Sequence, residues 1–175
     1  MTPDNFLGKV IDPGLKILHH IGGPEQNDDV RRFLLCVALQ ESGPTLMARY
    51  QSSPAPEPGP ARGWWQFEQA GVNGVMSHSA SRTLASTVCD WLVVVPDTRA
   101  VWRSLEGSSL LAAMFARLLL LTDPYSVPTE ADDAWDCYAN RLWRPGAPHP
   151  ETWSDNWATA DATVKAHPFM SQSFF

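Results

Sequence analysis

The most constraining feature of the sequence is an apolar segment from Leu110 to Leu121, LLAAMFARLLLL, in which Arg117 is the sole polar residue. Its apolar side chains fall on almost every side of a helix, which predicts a helix at the centre of a domain. Ser108 is placed to cap its amino end. The segment is too short to span a bilayer. We therefore expect the chain to fold around this helix.

The flanking patterns predict an all-α fold, or a mainly α fold with a minimal β element. Apolar residues recur at helical spacing in stretches that start at Asp12-Pro13, near Asp28, at Ser81, at Pro96, at Thr129 and near Pro150. Gly22-Gly23 and Gly43-Pro44 are expected to end the first two helices. Thr129 and Asp132 resemble a capping box, with Asp in place of the usual Glu or Gln. VVVP, Val93 to Pro96, is the one candidate for a short strand.

At 175 residues the chain is expected to form a single globular domain over 1–175. The proline-rich segment 52–62 predicts a loop, because proline is excluded from helix interiors and central strands. The tail 165–175 ends in two phenylalanines. We expect it to dock against a partner subunit or against the protein's own body.

The charge and the reactive residues exclude several classes of function. A net charge of −6 argues against a nucleic-acid binder and against a polybasic membrane-surface module. Cys36, Cys89 and Cys137 are expected to be buried thiols rather than disulfides. The cysteines and histidines lack metal-ligand spacing, and no phosphate-binding glycine loop is present, so we expect no metal and no cofactor. The amino-terminal segment does not resemble a signal peptide, which favours synthesis in the cytoplasm.

The segment ALQESG, Ala38 to Gly43, places Glu41 at the end of a helix that otherwise faces the core. Burial disfavours the charged form of a carboxyl and raises its pKa. A raised pKa is what a general acid needs near neutral pH. Spacing alone also permits the common alternative, a solvated glutamate.

The segment PARGWWQFEQ, Pro60 to Gln69, is expected to form the opposite wall of a groove at Glu41. Trp64 and Trp65 would exclude water and stack on sugar rings, although packing in the core is the alternative for any tryptophan. Gln66 would offer its amide to a hydroxyl or to an N-acetyl group.

Three segments, LLCVALQESG, PARGWWQFEQAGVNGVMSH and CYANRLWRPG, resemble the lysozyme-like superfamily. They are similar in particular to goose-type lysozymes and soluble lytic transglycosylases. Glu41-Ser42 matches the family's Glu-Ser pair. Gly63 and Gln66 match its Gly-Leu-Met-Gln-like segment, with Trp-Trp in place of Leu-Met, and Tyr138 lies in a loosely matched Ala-Tyr-Asn-like segment. Over roughly residues 30 to 160 the chain also resembles small phage-encoded lysozyme-like proteins.

This resemblance implies a phage enzyme that cleaves the β-1,4 bond between N-acetylmuramic acid and N-acetylglucosamine in peptidoglycan. Glu41 would be the general acid, Ser42 would orient it or contact the glycan, and Gln66 and Tyr138 would line the cleft. Glu68 is the best candidate for a second carboxylate, which a hydrolysing muramidase uses. In a lytic transglycosylase one carboxyl suffices, because the muramyl C6 hydroxyl attacks. The sequence leaves this choice open.

The alternative is a phage virion structural or assembly protein that keeps a lysozyme-like fold with little or no activity. The acidic charge favours it, because peptidoglycan is anionic and repels a negative enzyme. The expected partners are peptidoglycan glycan strands and other virion subunits, without nucleic acid or a membrane span. The chain would be made in the host cytoplasm without a signal peptide, and would act at the bacterial cell wall or travel in the phage particle.

Overall fold

Helices make up most of the computed structural model, which describes residues 1–47 and 59–169. They are α1 (Pro3–Phe6), α2 (Asp12–His20), α3 (Asp28–Ser42), α4 (Gln69–Ser77), α5 (Arg82–Trp91), α6 (Thr98–Gly107), α7 (Ser109–Leu121), α8 (Ala131–Asp136) and α9 (Pro150–Ala166). A π-helical segment, Leu7–Ile11, joins α1 to α2, and a second, Cys137–Leu142, extends α8. The described ranges contain no strand, only a lone antiparallel bridge between Arg62 and Phe67. The prediction of an all-α fold is confirmed.

Helix α7 lies at the centre of the fold, as its composition predicts. Every residue from Leu111 to Leu120 is buried, and α2, α3, α4, α5 and α6 all contact the helix. The Ser108 hydroxyl accepts a hydrogen bond from the Leu111 N–H at 3.3 Å, which confirms the predicted cap. Helix α2 approaches α7 so closely that a Cβ on Gly14 would lie 2.8 Å from the Cβ of Ala113.

Helices α3 and α9 pack side by side, and α3 carries Glu41 and Ser42 of the candidate site. Asn27 caps α3, because its side chain accepts a hydrogen bond from the Val30 N–H at 3.0 Å. Gly43 ends the helix with a φ of 75°, a conformation that favours glycine. The helices predicted near Asp28 and Pro150 are therefore both present.

The helix predicted from Asp12-Pro13 is present as α2. Asp12 is its first residue rather than its cap, because α1, capped by the Thr2 side chain, and the π-helical segment run directly into it. One predicted helix start is wrong. Helix α8 begins at Ala131 without the predicted capping box. Glu130 occupies its N-cap position, and no side chain caps it.

Two further segments differ from their predicted structures. AGVNGV, which the sequence did not predict to be helical, forms α4, with Val72 and Val75 buried. VVVP does not form a strand, since Val93 adopts a φ of 57° in the turn after α5. A positive φ is incompatible with an extended strand.

The three cysteines are buried and free, as predicted. Of the predicted loop 52–62, residues 52–58 lie outside the described residues. Of the tail 165–175, residues 170–175 also lie outside them. The Phe169 N–H donates to Asp28 Oδ1 at 3.2 Å, and its ring lies 5.3 Å from the Arg31 guanidinium. The described start of the tail thus packs on the amino end of α3. None of the helices in the described ranges is long and apolar enough to cross a membrane.

Candidate active site

A carboxyl and a phenol meet at the carboxyl end of α3. The Tyr138 hydroxyl donates a hydrogen bond to Glu41 Oε1 at 2.8 Å. Glu41 lies in the last turn of α3, and Tyr138 lies in the π-helical segment after α8. The fold therefore brings together two residues that are 97 positions apart in the sequence.

Ser42, the last residue of α3 and the neighbour of Glu41, fixes the end of the helix. Its buried hydroxyl donates to the backbone carbonyl of Trp64 at 2.6 Å. This bond ties the helix end to the turn that contains Gly63 and Gln66. Glu41, one residue earlier, is partly exposed beside a helix that is buried through Leu39. The structure therefore places Ser42 as a positioning residue for the Glu41 backbone.

The environment of Glu41 favours its protonated form. Burial raises the pKa of Glu41 from 4.5 to about 7, and the hydrogen bond from Tyr138 opposes this by lowering it. Such a group holds a proton near neutral pH and can give it up, which is the property that was predicted from the position of Glu41.

Tyr138 is held in place by a cluster of tryptophans. Its ring stacks on Trp153, with centroids 5.1 Å apart and planes 15° apart, and it also contacts Trp135 and Trp143. Burial and the charge of Glu41 raise the pKa of the phenol well above its usual range. The hydroxyl therefore keeps its proton and donates a hydrogen bond to the carboxyl.

A second set of hydrogen bonds fixes α3 to α9 at Gln40, next to Glu41. The Gln40 amide nitrogen donates to the His149 carbonyl at 2.9 Å. Its oxygen accepts from Thr152 Oγ1 at 3.1 Å and from Asn156 Nδ2 at 2.8 Å. Sequence reasoning missed the roles of Gln40 and Trp153. The apolar spacing near Pro150 predicted a helix, but it did not indicate the tyrosine that Trp153 supports.

The prediction that Trp64 and Trp65 present a stacking surface is wrong for this structure. Trp64 is 4% exposed and Trp65 is 0% exposed. Their indole N–H groups donate to Ser109 Oγ at 3.2 Å and to the Leu34 carbonyl at 2.9 Å. Both rings also pack on Phe6. Because the rings are enclosed in the core, no face is open to a sugar, and the alternative interpretation, packing, applies.

Gln66 lies in a tight turn rather than across an open groove. Its side-chain nitrogen donates to the Gly63 carbonyl at 2.8 Å, and its own backbone has a φ of 48°. The turn is closed by the backbone bridge between Arg62 and Phe67. Gln66 remains partly exposed. Its amide nitrogen, however, is used within the turn, so its role in binding stays a prediction.

Glu68 is exposed at the residue that precedes α4. Within the described ranges no hydrogen bond or ion pair joins it to Glu41. The structure thus brings Glu41, Ser42 and Tyr138 to one place, with Gln66 in the turn beyond Ser42, and it does not bring Glu68 into contact with them. The described residues also contain no group of three or more His, Cys, Asp or Glu side chains that could hold a metal ion.

Comparison with protein-family models, with curated proteins and with solved structures finds no match to this chain. The geometry around Glu41 and the resemblance of the sequence motifs are therefore the features that point to a function.

Proposed function

We propose that the protein cleaves the β-1,4 bond between N-acetylmuramic acid and N-acetylglucosamine in peptidoglycan, with Glu41 as the general acid. The observation that supports this most directly is the Glu41–Tyr138 pair. It combines a partly exposed carboxyl, a pKa of about 7 and a fixed donor at 2.8 Å. A general acid works best when its pKa lies near the working pH.

Tyr138 determines which oxygen of Glu41 is available to the substrate. Because Oε1 accepts the phenol hydrogen, the acidic proton belongs on Oε2. In the proposed step Oε2 gives this proton to the glycosidic oxygen, the bond from that oxygen to the anomeric carbon breaks, and positive charge develops on the sugar. The hydrogen bond from Tyr138 then stabilises the carboxylate that remains.

The second half of the reaction returns a proton to Glu41. If water attacks the anomeric carbon, the carboxylate accepts its proton and the product is a reducing sugar. If the muramyl C6 hydroxyl attacks, the same carboxylate accepts that proton and the product is a 1,6-anhydro sugar. Both routes leave Glu41 protonated, and the chemical form of the product distinguishes them.

The test compares the parent protein with Glu41→Gln and with Glu68→Gln, which removes the candidate second carboxylate, on purified peptidoglycan. Glutamine keeps the shape of the side chain but supplies no acidic proton. We expect the parent to reduce the turbidity and the Glu41 variant to lose at least about 100-fold in rate, as is typical for a general acid. Mass spectrometry of the products separates anhydro ends from reducing ends. Loss of activity in Glu68→Gln as well would indicate a two-carboxylate hydrolase.

Equal clearing by the parent and by Glu41→Gln would contradict the proposal, and so would a parent that clears nothing.

A second candidate function is a phage virion structural or assembly protein. The burial of Trp64 and Trp65 supports it, because it removes the stacking surface that favoured an enzyme. The net charge of −6 supports it too. It predicts recovery of the protein from purified particles at a fixed stoichiometry, together with no clearing of peptidoglycan.

A further inference from the structure

A cavity of about 480 Å³ lies beside the π-helical segment that carries Tyr138. Its lining includes Tyr125, Ser126, Thr129, Asp133, Asp136 and Arg141. The volume falls within the range of about 300–1,000 Å³ that is usual for small-molecule sites. None of these residues belongs to the Glu41 site, so the cavity is a separate feature of the protein.

Hydrogen bonds and ion pairs hold two residues of the lining, Arg141 and Asp136. The Arg141 guanidinium donates to Asp123 Oδ1 and Oδ2, at 3.2 and 2.9 Å through Nε and Nη2, and it also pairs with Asp136. Asp123 is buried and accepts a further hydrogen bond from the Cys137 thiol at 3.2 Å. Asp136 is held from its other side by Asn140 at 2.7 Å. These contacts fix the planar groups of Arg141 and Asp136 before any ligand arrives, which lowers the entropic cost of binding.

An aromatic ring forms one side of the cavity. The Arg141 guanidinium lies 4.9 Å from the centroid of the Tyr125 ring, so the position of the ring is supported. Tyr125 nevertheless remains 68% exposed. An exposed, supported ring is suited to stacking on a flat ligand with polarised C–H groups.

The charges of the lining exclude an anionic ligand. Asp133 and Asp136 repel an anion, and Arg141 does not offset this, because its guanidinium is already paired with Asp123 and Asp136. Asp133 is exposed, and no hydrogen bond or ion pair from the described residues engages its carboxylate. With the hydroxyls of Ser126 and Thr129, the cavity thus offers acceptors and donors side by side. A neutral ligand with several adjacent hydroxyls satisfies both kinds of group, and an aromatic face with planar polar groups suits a sugar ring.

We propose that this cavity binds a neutral saccharide, with Tyr125 as the stacking face and Asp133, Asp136 and Arg141 as its hydrogen-bonding groups. The choice of cell-wall glycan as the source of the sugar rests on the proposed function, whereas the class of ligand rests on the cavity alone. The site would hold a glycan strand at a second point, apart from the bond that is cut.

The test is a titration of the full-length protein with tri-N-acetylchitotriose, followed by calorimetry and by NMR chemical shifts. All titrations use the Glu41→Gln background, so that the probe is not cleaved. Tyr125→Ala removes the stacking ring, and Asp133→Ala removes the unpaired acceptor. Trp91→Ala is the matched control, because Trp91 is also an exposed aromatic residue but does not line the cavity. Inorganic phosphate and spermidine serve as charged probes.

We expect the saccharide to bind, with Tyr125→Ala and Asp133→Ala each weakening binding by about tenfold and Trp91→Ala leaving it unchanged. Thermal denaturation checks that the exposed substitutions leave the fold intact. Failure to bind the trisaccharide, or equal affinity in Tyr125→Ala, would overturn the proposal. Tighter binding of phosphate or spermidine than of the sugar would overturn it too.

This test and the peptidoglycan assay fail independently. If the parent clears no peptidoglycan but the cavity still binds the trisaccharide, only the proposed function is refuted. If the parent clears peptidoglycan but Tyr125→Ala leaves the affinity for the trisaccharide unchanged, only the saccharide site is refuted.

Discussion

Replacing Glu41 with Gln should raise the free energy of unfolding relative to the parent as the pH rises from 4 to 8, because it removes an ionisable group from a largely buried position. In the folded protein burial raises the pKa of Glu41 from 4.5 to about 7. In the unfolded chain the carboxyl is solvated, and its pKa returns to the ordinary value. The native state therefore binds a proton more tightly than the unfolded state does, and its free energy of unfolding falls as the pH rises between these two values.

The size of this effect follows from the difference in pKa. Below pH 4.5 the carboxyl is protonated in both states, so the native state bears no cost of a buried charge. Above pH 7 the carboxyl is ionised in both states, and the native state bears the full cost of the buried charge. Raising the pKa from 4.5 to about 7 corresponds to about 3 kcal/mol of free energy of unfolding, lost over that interval. Glutamine does not ionise, so the Glu41→Gln variant does not lose this free energy of unfolding as the pH rises.

The assay is urea denaturation of the parent and of Glu41→Gln at pH 4 and at pH 8, followed by tryptophan fluorescence. The free energy of unfolding of the variant minus that of the parent should be about 3 kcal/mol larger at pH 8 than at pH 4. For a chain of 175 residues this corresponds to about 6–12 °C in Tm. Glu68→Gln, at an exposed position, is the control for a Glu-to-Gln substitution outside the core. If the parent and Glu41→Gln lose stability in parallel between the two pH values, Glu41 is not a buried carboxyl with a raised pKa, and the argument for a general acid is refuted.

Four further outcomes are expected. Tyr138→Phe removes the hydrogen bond that lowers the pKa of Glu41, so the alkaline limb of the peptidoglycan-clearing rate should move to higher pH, and an unmoved limb would contradict the pairing. Ser42→Ala breaks a buried hydrogen bond and should lower the free energy of unfolding in urea by about 1–2 kcal/mol. Gly63→Ala should destabilise the folded protein by more than about 1 kcal/mol, because the φ of Gly63 is 74° and the new Cβ would lie 3.0 Å from a backbone carbonyl oxygen. Gly74→Ala should stabilise the folded protein by about 0.5–1 kcal/mol, because Gly74 lies on α4 with open space around the new Cβ. Thermal denaturation compares the two variants.

The helices that the sequence predicted correctly are those whose signals are local. The segment Leu110–Leu121 is apolar on every side and carries its own cap, and α3 has an apolar repeat ended by Gly43. Helix α4 was missed because Gly71 and Gly74 lower its helical propensity. It forms because packing against α5, α6 and α7 buries its valines, and that contribution is tertiary.

The distinction between local and tertiary signals applies to the candidate site as well. The position of Glu41 beside the core could be predicted from its place in one helix, whereas its contact with Tyr138 depends on how α3 and the π-helical segment pack. The resemblance of motifs placed both residues in one cleft, but spacing alone did not. For Trp64 and Trp65 the residue type is compatible with stacking and with burial. Only the acceptors of their indole N–H groups, in α3 and α7, decide for burial.

Burial and the hydrogen bond from Tyr138 shift the pKa of Glu41 in opposite directions, so Tyr138 affects the acidity of Glu41 as well as its position. Burial alone would push the pKa of Glu41 higher than about 7, and Tyr138 holds it down by donating to the ionised form. A carboxyl with a still higher pKa would hold its proton too firmly to be an efficient acid at neutral pH. The stack of Tyr138 on Trp153 fixes the donor, and Gln40 fixes α3 to the helix that carries Trp153. The packing of α3 on α9 therefore bears on the acidity of Glu41, as well as on its position.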